Sequence, residues 1–323
     1  MIRWGIIGLG RITHRFIEGL SYCDDGMLYA GASRTFETRK QFQKEHPNVR
    51  VYDNYDELLD DPMIDVVYIA LRHKDHYEWS KKALLKNKAV LCEKPATLYY
   101  HQILDLVRIS QQNHIFFMEA MKSRFIPLRD RLKTLIQKDV IGDIIRIETS
   151  FCNQVPYDEK SYFFEKDQGG ALYDVAIYNI ASILDFISSQ FEDIHIQQIC
   201  QYGVDVYDDI EIQFHSHQTA RIECALDRQK EKKMVIIGTK GRIECVPFYR
   251  PTQATVIIND ESYIIEQPYI NDDFYTEIKA VHDAFNHHWN EHPQMTHDDS
   301  LRCIQLLENI VYLSQKDGPN HES

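Results

Sequence analysis

Short apolar runs alternate with amphipathic segments along the first 120 residues of the chain. The apolar runs, which predict strands, are IRWGII, MLYAGAS, VRVYD, DVVYIAL, AVLCE and IFFMEA. The segments between them, ITHRFIEGLSYC, TFETRKQFQKEH, HYEWSKKALLKN and HQILDLVRISQQN, repeat apolar residues at helical spacing. This alternation predicts an α/β domain over residues 1–120, with a doubly wound parallel sheet covered by helices on both faces.

The alternation of strands and helices ends at about residue 120. Helices are predicted around Leu128–Lys138 and from about Gly170 to Ser188, and strands then follow one another through turns such as SHQ, TKG and NDE. Consecutive strands with tight turns predict a large open, mainly antiparallel sheet. The tail, 272–316, predicts two helices interrupted near EHPQMTHDD. Residues 121–323 are therefore expected to form an α+β domain, whose C-terminal helices can pack back on the first domain and whose last six or so residues are disordered.

Composition and charge exclude several classes of function. Acidic residues outnumber basic ones by 49 to 36, so the chain lacks the basic surface that general nucleic-acid binding needs. No apolar run approaches the roughly 20 residues of a membrane span, and the first predicted strand begins at Ile2, which leaves no room for a signal peptide. The seven scattered cysteines and 15 histidines show no disulfide framework and no ligand spacing, so no metal site is predicted. We expect a reduced, cytoplasmic protein.

The sequence GLGRIT, residues 8–13, follows the first predicted strand and opens the first predicted helix. Gly8 and Gly10 allow a tight turn and close approach of a pyrophosphate to backbone N–H groups at the helix N-terminus, beside Arg11 and Ile12. Thr13 replaces the third glycine of the dinucleotide fingerprint, so the pattern is incomplete. Its place between a strand and a helix predicts a dinucleotide-binding Rossmann turn, with an ordinary turn as the alternative.

The end of the second predicted strand indicates which dinucleotide binds. An acidic residue at this place hydrogen-bonds the ribose 2′-hydroxyl of NAD, but the chain has Ser33 and Arg34 here, with Arg39 one turn into the helix. A guanidinium can form paired hydrogen bonds with a 2′-phosphate, so NADP is favoured and NAD is the second choice. The alternative is that Arg34 is a solvated loop charge.

The stretch VLCEKP, residues 90–95, ends an apolar strand with an acid, a base and a proline. Pro95 cannot continue a central strand because it lacks a backbone N–H. Ligands of open α/β sheets bind at the carboxyl ends of strands, so Lys94 is expected at a site, where it stabilises an alkoxide or shares a proton. The alternative is a strand that simply reaches the surface. A cis Lys94–Pro95 bond is compatible with this sequence.

Several stretches together resemble the glucose–fructose oxidoreductase, inositol dehydrogenase and rhizopine-catabolism (Gfo/Idh/MocA) family of NAD(P)-dependent oxidoreductases. They are GIIGLGRI, ASR, YDELLDDPMIDVVYIA, HYEWSKKALLKNKAVLCEKP, MEAMKSRFIP, GGALYDVAIY and GTKGRIE, and they cover nearly the whole chain. MEAMKSRFIP and the tyrosine of the GGALYDVAIY motif are most similar to the dimeric dihydrodiol and xylose dehydrogenase branch. The resemblance implies hydride transfer between a nicotinamide and a hydroxyl-bearing carbon of a sugar, polyol or cyclic diol. It also implies a homodimer or homotetramer assembled through the open sheet.

The resemblance further implies a set of catalytic residues. Lys94 matches the family's catalytic lysine, and Asp174 and Tyr178 match helix positions that face the substrate. Asp174 and Tyr178 are four residues apart on a predicted helix, so they share one face, although spacing alone favours a solvated acid and a half-buried aromatic. We expect Tyr178 to act as acid and base, Lys94 to be its electrostatic partner and Asp174 to orient both. Lys94 as the proton carrier is the alternative.

Other residues are expected to contact the cofactor or the substrate. The predicted cofactor residues are Gly8, Gly10, Arg11, Ile12, Ser33, Arg34, Arg39, Leu71, Arg72, His76, Glu93 and Lys94. The predicted substrate residues are Arg124, Phe125, Tyr157 and Tyr162. The alternative for the first two is anchoring of the domain junction, and for the two tyrosines it is ordinary loop packing.

Two pairs of residues depart from the family's usual pattern. Leu71 and Arg72 stand where threonine and proline are common, and Val175 and Ala176 stand where isoleucine and glycine are common. The extra guanidinium of Arg72 could favour a substrate with a carboxylate or phosphate, or it could pair with a surface acid. The departures support a second hypothesis of another class, a catalytically silent, NADP-sensing binding protein on the same fold.

Overall fold

The computed structural model describes residues 1–317. These residues form two compact units, Met1–Phe125 with Ile270–Leu301, and Ile126–Tyr269 with Arg302 onward. The disorder predicted for the last six or so residues concerns positions outside the described residues. No helix within 1–317 is both long and apolar enough to cross a lipid bilayer.

The first unit is built on a six-stranded parallel sheet. Its strands are β1 (Ile2–Ile7), β2 (Gly26–Ala32), β3 (Arg50–Tyr52), β4 (Val66–Ile69), β5 (Ala89–Glu93) and β6 (Phe117–Ala120). The helices between and after them are α1 (Arg11–Ser21), α2 (Phe36–Glu45), α3 (Tyr55–Asp60), α4 (His73–Leu85) and α5 (Tyr100–Asn113). The strand order is β3-β2-β1-β4-β5-β6, with all neighbours parallel. The order reverses between β1 and β4, where such sheets bind ligands, and the predicted doubly wound fold is confirmed.

Helix α3 is the element of this sheet domain that the sequence analysis missed. It begins after Asn54, whose side-chain oxygen accepts a hydrogen bond from the backbone N–H of Asp56 at 2.9 Å. An asparagine followed three residues later by a glutamate, here Glu57, is a known signal for a helix start. The six-residue helix is shorter than the windows in which helical periodicity is visible.

The second unit contains a large open sheet. Its elements are α6 (Pro127–Gln137), β7 (Ile144–Cys152), a 3₁₀ turn (Tyr162–Phe164), a π-helical turn (Leu172–Ala176), α7 (Ile177–Leu184), β8 (Phe191–Gln201), β9 (Val204–Phe214), β10 (Thr219–Ala225), β11 (Met234–Gly238), β12 (Gly241–Cys245), β13 (Gln253–Ile258) and β14 (Glu261–Glu266). The strand order is β14-β13-β12-β11-β7-β10-β9-β8. Strands β7 and β10 are parallel and the other neighbours antiparallel, so the mainly antiparallel sheet is confirmed.

The helix predicted from about Gly170 to Ser188 is shorter and less regular than expected. Residues Leu172–Ala176 form a π-helical turn, and the regular helix α7 covers only Ile177–Leu184. All eight residues of α7 are buried, so the apolar stripe in the sequence is real. Periodicity does not reveal the π-helical turn, because apolar side chains are spaced almost alike in both helix types over a single turn.

Two helices follow the open sheet, α8 (Asp273–Asn286) and α9 (His297–Asp317), and the predicted interruption lies between them. Helix α8 belongs to the first unit, where it packs against α1. The contact is close at Gly19, where an added Cβ would lie 2.7 Å from the Cβ of Phe274. The Trp4 indole N–H donates to His282 of α8 at 2.9 Å, which ties this helix to β1.

Candidate active site

The glycine turn after β1 has a conformation that requires Gly8. Gly8 has a φ of +93°, and an added Cβ would lie 2.3 Å from the carbonyl oxygen of Ala70 at the end of β4. Thr13, which replaces the third glycine of the fingerprint, is buried and donates its hydroxyl to the Gly8 carbonyl oxygen at 2.8 Å. The buried threonine therefore stabilises the turn through a hydrogen bond, a role that the fingerprint alone does not reveal.

The same turn has the properties of a dinucleotide site. Gly10 is the N-cap of α1, so the cap residue has no side chain to occupy the N–H groups of the first turn. An added Cβ on Gly10 would meet no described atom within 4 Å, so the space beside the turn is open to a ligand. Arg11 and Ile12 begin the helix, and their N–H groups point toward its N-terminal end. A pyrophosphate fits such a cradle of N–H groups.

The loop after β2 carries the two arginines that were expected at the ribose. The Arg34 side chain is 67% exposed and lies 3.8 Å from the Asp75 carboxylate and 5.3 Å from the centre of the Tyr55 ring. Arg39 donates to the backbone oxygen of Ser33 at 2.8 Å. Long contacts of exposed groups are weak, so the Arg34 guanidinium can be redirected to a phosphate at small cost.

His76 contacts the loop between β4 and α4 from the buried side. Leu71 is partly exposed and Arg72, the N-cap of α4, is exposed, whereas His76 is fully buried. The His76 Nδ1 lies 2.8 Å from the carbonyl oxygen of Pro95, and its Nε2 lies 3.1 Å from that of Leu71. Burial lowers the pKa of His76, and a neutral imidazole has one N–H, so we assign the donated hydrogen bond to the shorter contact. His76 thus connects the loop at Leu71 with the segment at Pro95.

Lys94 lies directly after β5, in the segment that His76 contacts. The Glu93 carboxylate accepts a hydrogen bond from the Tyr68 hydroxyl at 2.5 Å and one from the Lys94 backbone N–H at 3.2 Å. The Lys94–Pro95 peptide bond is cis. Glu93 and Lys94 are both partly exposed at this strand end. Glu93 therefore holds the backbone of Lys94, and its contact with the cofactor stays a prediction.

Two buried acids near this segment were not predicted. Glu119 of β6 is fully buried and accepts the Ala96 N–H at 2.9 Å, and burial raises its pKa to about 7. Glu277 of α8 is also fully buried, and burial together with the charge of Glu93 raises its pKa well above the usual range. The signal for Glu119 is an acid inside the apolar run IFFMEA. Glu277 has no comparable local signal, because it becomes buried only when α8 packs.

Arg124 and Phe125 are packed inside the first unit. The Arg124 side chain is 2% exposed, and its Nη1 lies 2.6 Å from the Asp299 carboxylate. The Phe125 ring is buried and lies edge-on to His292 with 5.4 Å between ring centres. Both side chains therefore have partners within the first unit, and a substrate role for them stays a prediction.

Asp174 and Tyr178 lie on consecutive helical elements of the second unit. Asp174 is partly exposed in the π-helical turn and accepts a hydrogen bond from the Tyr162 hydroxyl at 3.2 Å. Tyr178 is 7% exposed in α7, with ring centres 5.7 Å from Phe151 and 5.9 Å from Tyr249. The expectation that two residues four positions apart share a helix face holds for a regular α-helix. It does not apply unchanged to Asp174 and Tyr178, because Asp174 lies in a π-helical turn. The structure does bring Tyr162 to Asp174.

Tyr157 lines a cavity of about 500 Å³ in the second unit. Its ring is stacked on Tyr202 with 4.0 Å between ring centres, and Phe164 lies edge-on to both. The polar lining includes Gln154 and Gln201. Aromatic faces with amides beside them can pack against the C–H face of a sugar and hydrogen-bond its hydroxyls.

One group of potential metal ligands occurs in the first unit and is better explained as structural. Cys23, Asp25 and His282 place their ligand atoms within 4.8 Å of one another. His282 accepts from Trp4 and lies 2.8 Å from the Asp25 carboxylate, so both ring nitrogens already have partners. Burial raises the pKa of the Cys23 thiol to about 12, which disfavours the thiolate that a metal needs.

The doubly wound sheet with its glycine turn and switch point defines a nucleotide-binding protein of the Rossmann class. The chain belongs to the Gfo/Idh/MocA oxidoreductase family. Residues 2–120 match the model described as "Oxidoreductase family, NAD-binding Rossmann fold", and residues 130–244 match the one described as "GFO/IDH/MocA C-terminal domain". The family resemblance found in the sequence is confirmed.

Curated relatives and solved structures agree with this assignment. The chain is 26% identical over 322 residues to a trans-1,2-dihydrobenzene-1,2-diol dehydrogenase from Danio rerio, covering 95% of each chain. It is 29% identical over 271 residues to the enzyme of that name from Xenopus laevis, covering 83% of this chain and 82% of the relative. These relatives support the dihydrodiol dehydrogenase branch.

Two solved structures share the fold. A 3-ketoreductase from Actinomadura kijaniata, solved with NADP and TDP-benzene, has a TM-score of 0.87 at 24% identity, covering 95% of this chain and 96% of the other. An aldose–aldose oxidoreductase from Caulobacter crescentus, complexed with glycerol, has a TM-score of 0.87 at 19% identity, covering 98% of each.

Proposed function

We propose that the protein is an NADP-dependent dehydrogenase or reductase of a small hydroxylated substrate, a sugar, polyol or cyclic diol. The observation that carries the proposal is the pairing, within one parallel sheet, of an open glycine turn after β1 with a lysine fixed at the end of β5. Relatives named as diol dehydrogenases support the same class of reaction.

A nicotinamide cofactor bound at the glycine turn would supply or accept the hydride, and side chains of this protein would donate or accept the proton. We propose Lys94, Asp174 and Tyr178 as the catalytic residues. A cationic lysine stabilises negative charge that develops on the substrate oxygen. Tyr178 donates the proton in reduction and accepts it in oxidation, and Asp174, held by Tyr162, orients these groups. Lys94 as the proton carrier is the alternative assignment.

A substrate panel read by NADPH absorbance tests the proposed activity. The panel contains aldoses, polyols and trans-dihydrodiols, each assayed in the oxidative direction with NADP, and the matching carbonyl compounds with NADPH. Turnover of at least one compound, lost on substitution of Lys94, supports the enzyme. Tight NADPH binding without turnover of any compound supports the alternative, a cofactor-sensing protein.

The exposed arginine after β2 leads to a prediction about cofactor choice. We expect NADPH to bind at least about tenfold more tightly than NADH, since a fork of N–H donors on a dianionic phosphate contributes about 1.5–3 kcal/mol. Arg34→Ala is expected to remove most of that difference and to leave NADH affinity unchanged. The measurement is a fluorescence titration at matched ionic strength, with Lys44→Ala in α2 as the control for general surface charge. Equal affinities of the wild-type protein for both cofactors would contradict the prediction.

The outward face of the open sheet supports a proposal on assembly. Arginine and carboxylate side chains pair across strands there, with Arg146 paired to Glu211 at 2.7 Å and Arg221 to Asp209 at 2.6 Å. A face that carries charges of both signs can be complementary to a second copy of itself, and we propose a homodimer or homotetramer through this face. Arg146→Glu combined with Arg221→Glu is expected to lower the mass in light scattering to that of the monomer. An unchanged mass would place the contact elsewhere.

A reducing location is the remaining part of the proposal. All seven cysteines are free, and six of them are buried. Thiols kept in this state are typical of proteins in reducing compartments. We therefore propose a cytoplasmic protein.

A further inference from the structure

Strand β9 carries the aspartates Asp205 and Asp208, and Asp205 contacts the turn that carries Asp174. Asp208 is fully buried. Its carboxyl accepts a hydrogen bond from the Gln198 amide at 2.7 Å and lies 3.5 Å from the Cys224 sulfur. Asp205 lies three residues earlier on the same strand and is partly exposed.

Asp205 also contacts the start of the π-helical turn at two points. Its Oδ2 accepts the backbone N–H of Leu172 at 2.8 Å. Its Oδ1 occupies the place where a side chain at residue 170 would begin, since an added Cβ on Gly170 would lie 2.0 Å away. Gly170 has a φ of +94°, a conformation that glycine adopts without strain. The carboxyl group thus lies directly against the turn.

A short chain of contacts connects Asp205 with Asp174. The Gly170 carbonyl oxygen accepts the backbone N–H of Asp174 at 3.3 Å. On the other side, the Tyr162 hydroxyl donates to the Asp174 carboxylate. Main chain and side chain of Asp174 are therefore both held. π-Helical turns are rare and commonly occur at functional sites, and a strained segment persists only when its surroundings fix it.

We propose that Asp205 is a positioning residue of the reaction, which fixes the turn from Gly170 to Ala176 and so presents Asp174 to the substrate. The importance of Asp174 for turnover rests on the proposed function, whereas the anchoring of the turn does not.

Burial raises the pKa of both aspartates, that of Asp208 to about 6 and that of Asp205 well above the usual range. The buried Cys224 thiol lies beside Asp208, and burial raises its pKa as well. Burial therefore favours the protonated forms of these groups.

Asp205→Ala and Asp205→Asn together test the proposal. Asparagine keeps an acceptor for the Leu172 N–H and nearly the size of the aspartate side chain, so kcat is expected to stay within about threefold. Alanine removes the contacts with Leu172 and Gly170, so kcat is expected to fall at least tenfold and amide hydrogen exchange over residues 172–176 to accelerate. NADPH affinity is expected to be unchanged in both variants. Asp193→Asn, an exposed acid on β8, is the control.

The exchange measurement separates this proposal from the proposed function, because it needs no substrate. Faster exchange in Asp205→Ala together with protection in Asp205→Asn supports the anchor even if no compound of the panel is turned over. Equal exchange in wild type and Asp205→Ala, or an Asp205→Asn variant as impaired as the alanine variant, overturns it. If Asp205→Ala does not fold, Asp205→Glu replaces it. The longer side chain keeps the carboxyl but has no room beside Gly170, so loss of kcat is expected and full activity overturns the proposal.

Discussion

Lys94→Ala is expected to lower kcat by about 10²–10⁴-fold, the range that a general acid–base or charge-stabilising group contributes. NADPH affinity is expected to stay within a few-fold of wild type. The backbone of the segment is held without the lysine ammonium, because Glu93 accepts the Lys94 N–H and His76 contacts the Pro95 carbonyl. The loss should therefore fall on the chemical step and not on cofactor binding.

Steady-state kinetics on a substrate from the panel, with NADPH titrated by fluorescence, measures both parts of this result. Lys44→Ala is the matched control, since it removes a lysine from an exposed helix of the same unit. Near-full turnover of Lys94→Ala would rule out the catalytic role. The comparison with Tyr178→Phe assigns the proton, because the variant that lacks the proton carrier also loses the matching limb of the pH profile of kcat.

The first unit could be predicted from the sequence because its strands are buried on both faces. Strands β1, β4 and β5 are buried along nearly their whole length, and each appears in the sequence as a continuous apolar run between amphipathic helices. Lys94 could be singled out because two charges and Pro95 interrupt such a run. These signals are local, and local signals are the ones that a single sequence contains.

The features that the sequence did not reveal depend on residues far apart in the chain. Strand β7 enters the middle of the open sheet between β10 and β11, while the turn signals specify only pairs of consecutive strands. The first residue of the π-helical turn, Leu172, donates its N–H to Asp205, which lies more than 30 residues further on. Asp208 and Glu277 become buried only through packing of other elements, and nothing in their neighbouring residues distinguishes them from surface acids.

Gly8 and Gly10 are both needed in the turn after β1, but for different reasons, so their substitution is expected to have different effects. Gly8→Ala is expected to destabilise the fold by about 1–3 kcal/mol from the backbone conformation alone. Displacement of Ala70, whose oxygen lies 2.3 Å from the added Cβ, costs more. Gly10 has an ordinary φ of −88° and open space beside it. Gly10→Ala is therefore expected to leave the melting temperature unchanged and to weaken NADPH binding at least about tenfold, because the methyl group occupies the place of the pyrophosphate.

Thermal unfolding and NADPH titration of both variants measure this difference. Gly8→Ala should lower the melting temperature by several degrees, since 1 kcal/mol corresponds to about 2–4 °C in a domain of 150–250 residues, and should also weaken NADPH binding. Gly10→Ala is the decisive variant, because it is expected to differ from wild type only in the binding of a ligand. Wild-type NADPH affinity in Gly10→Ala would show that the pyrophosphate does not lie against this turn. The assignment of Arg34 to the 2′-phosphate would then lose its basis, because the pyrophosphate at Gly10 and the 2′-phosphate at Arg34 both require the cofactor to lie along the same edge of the sheet.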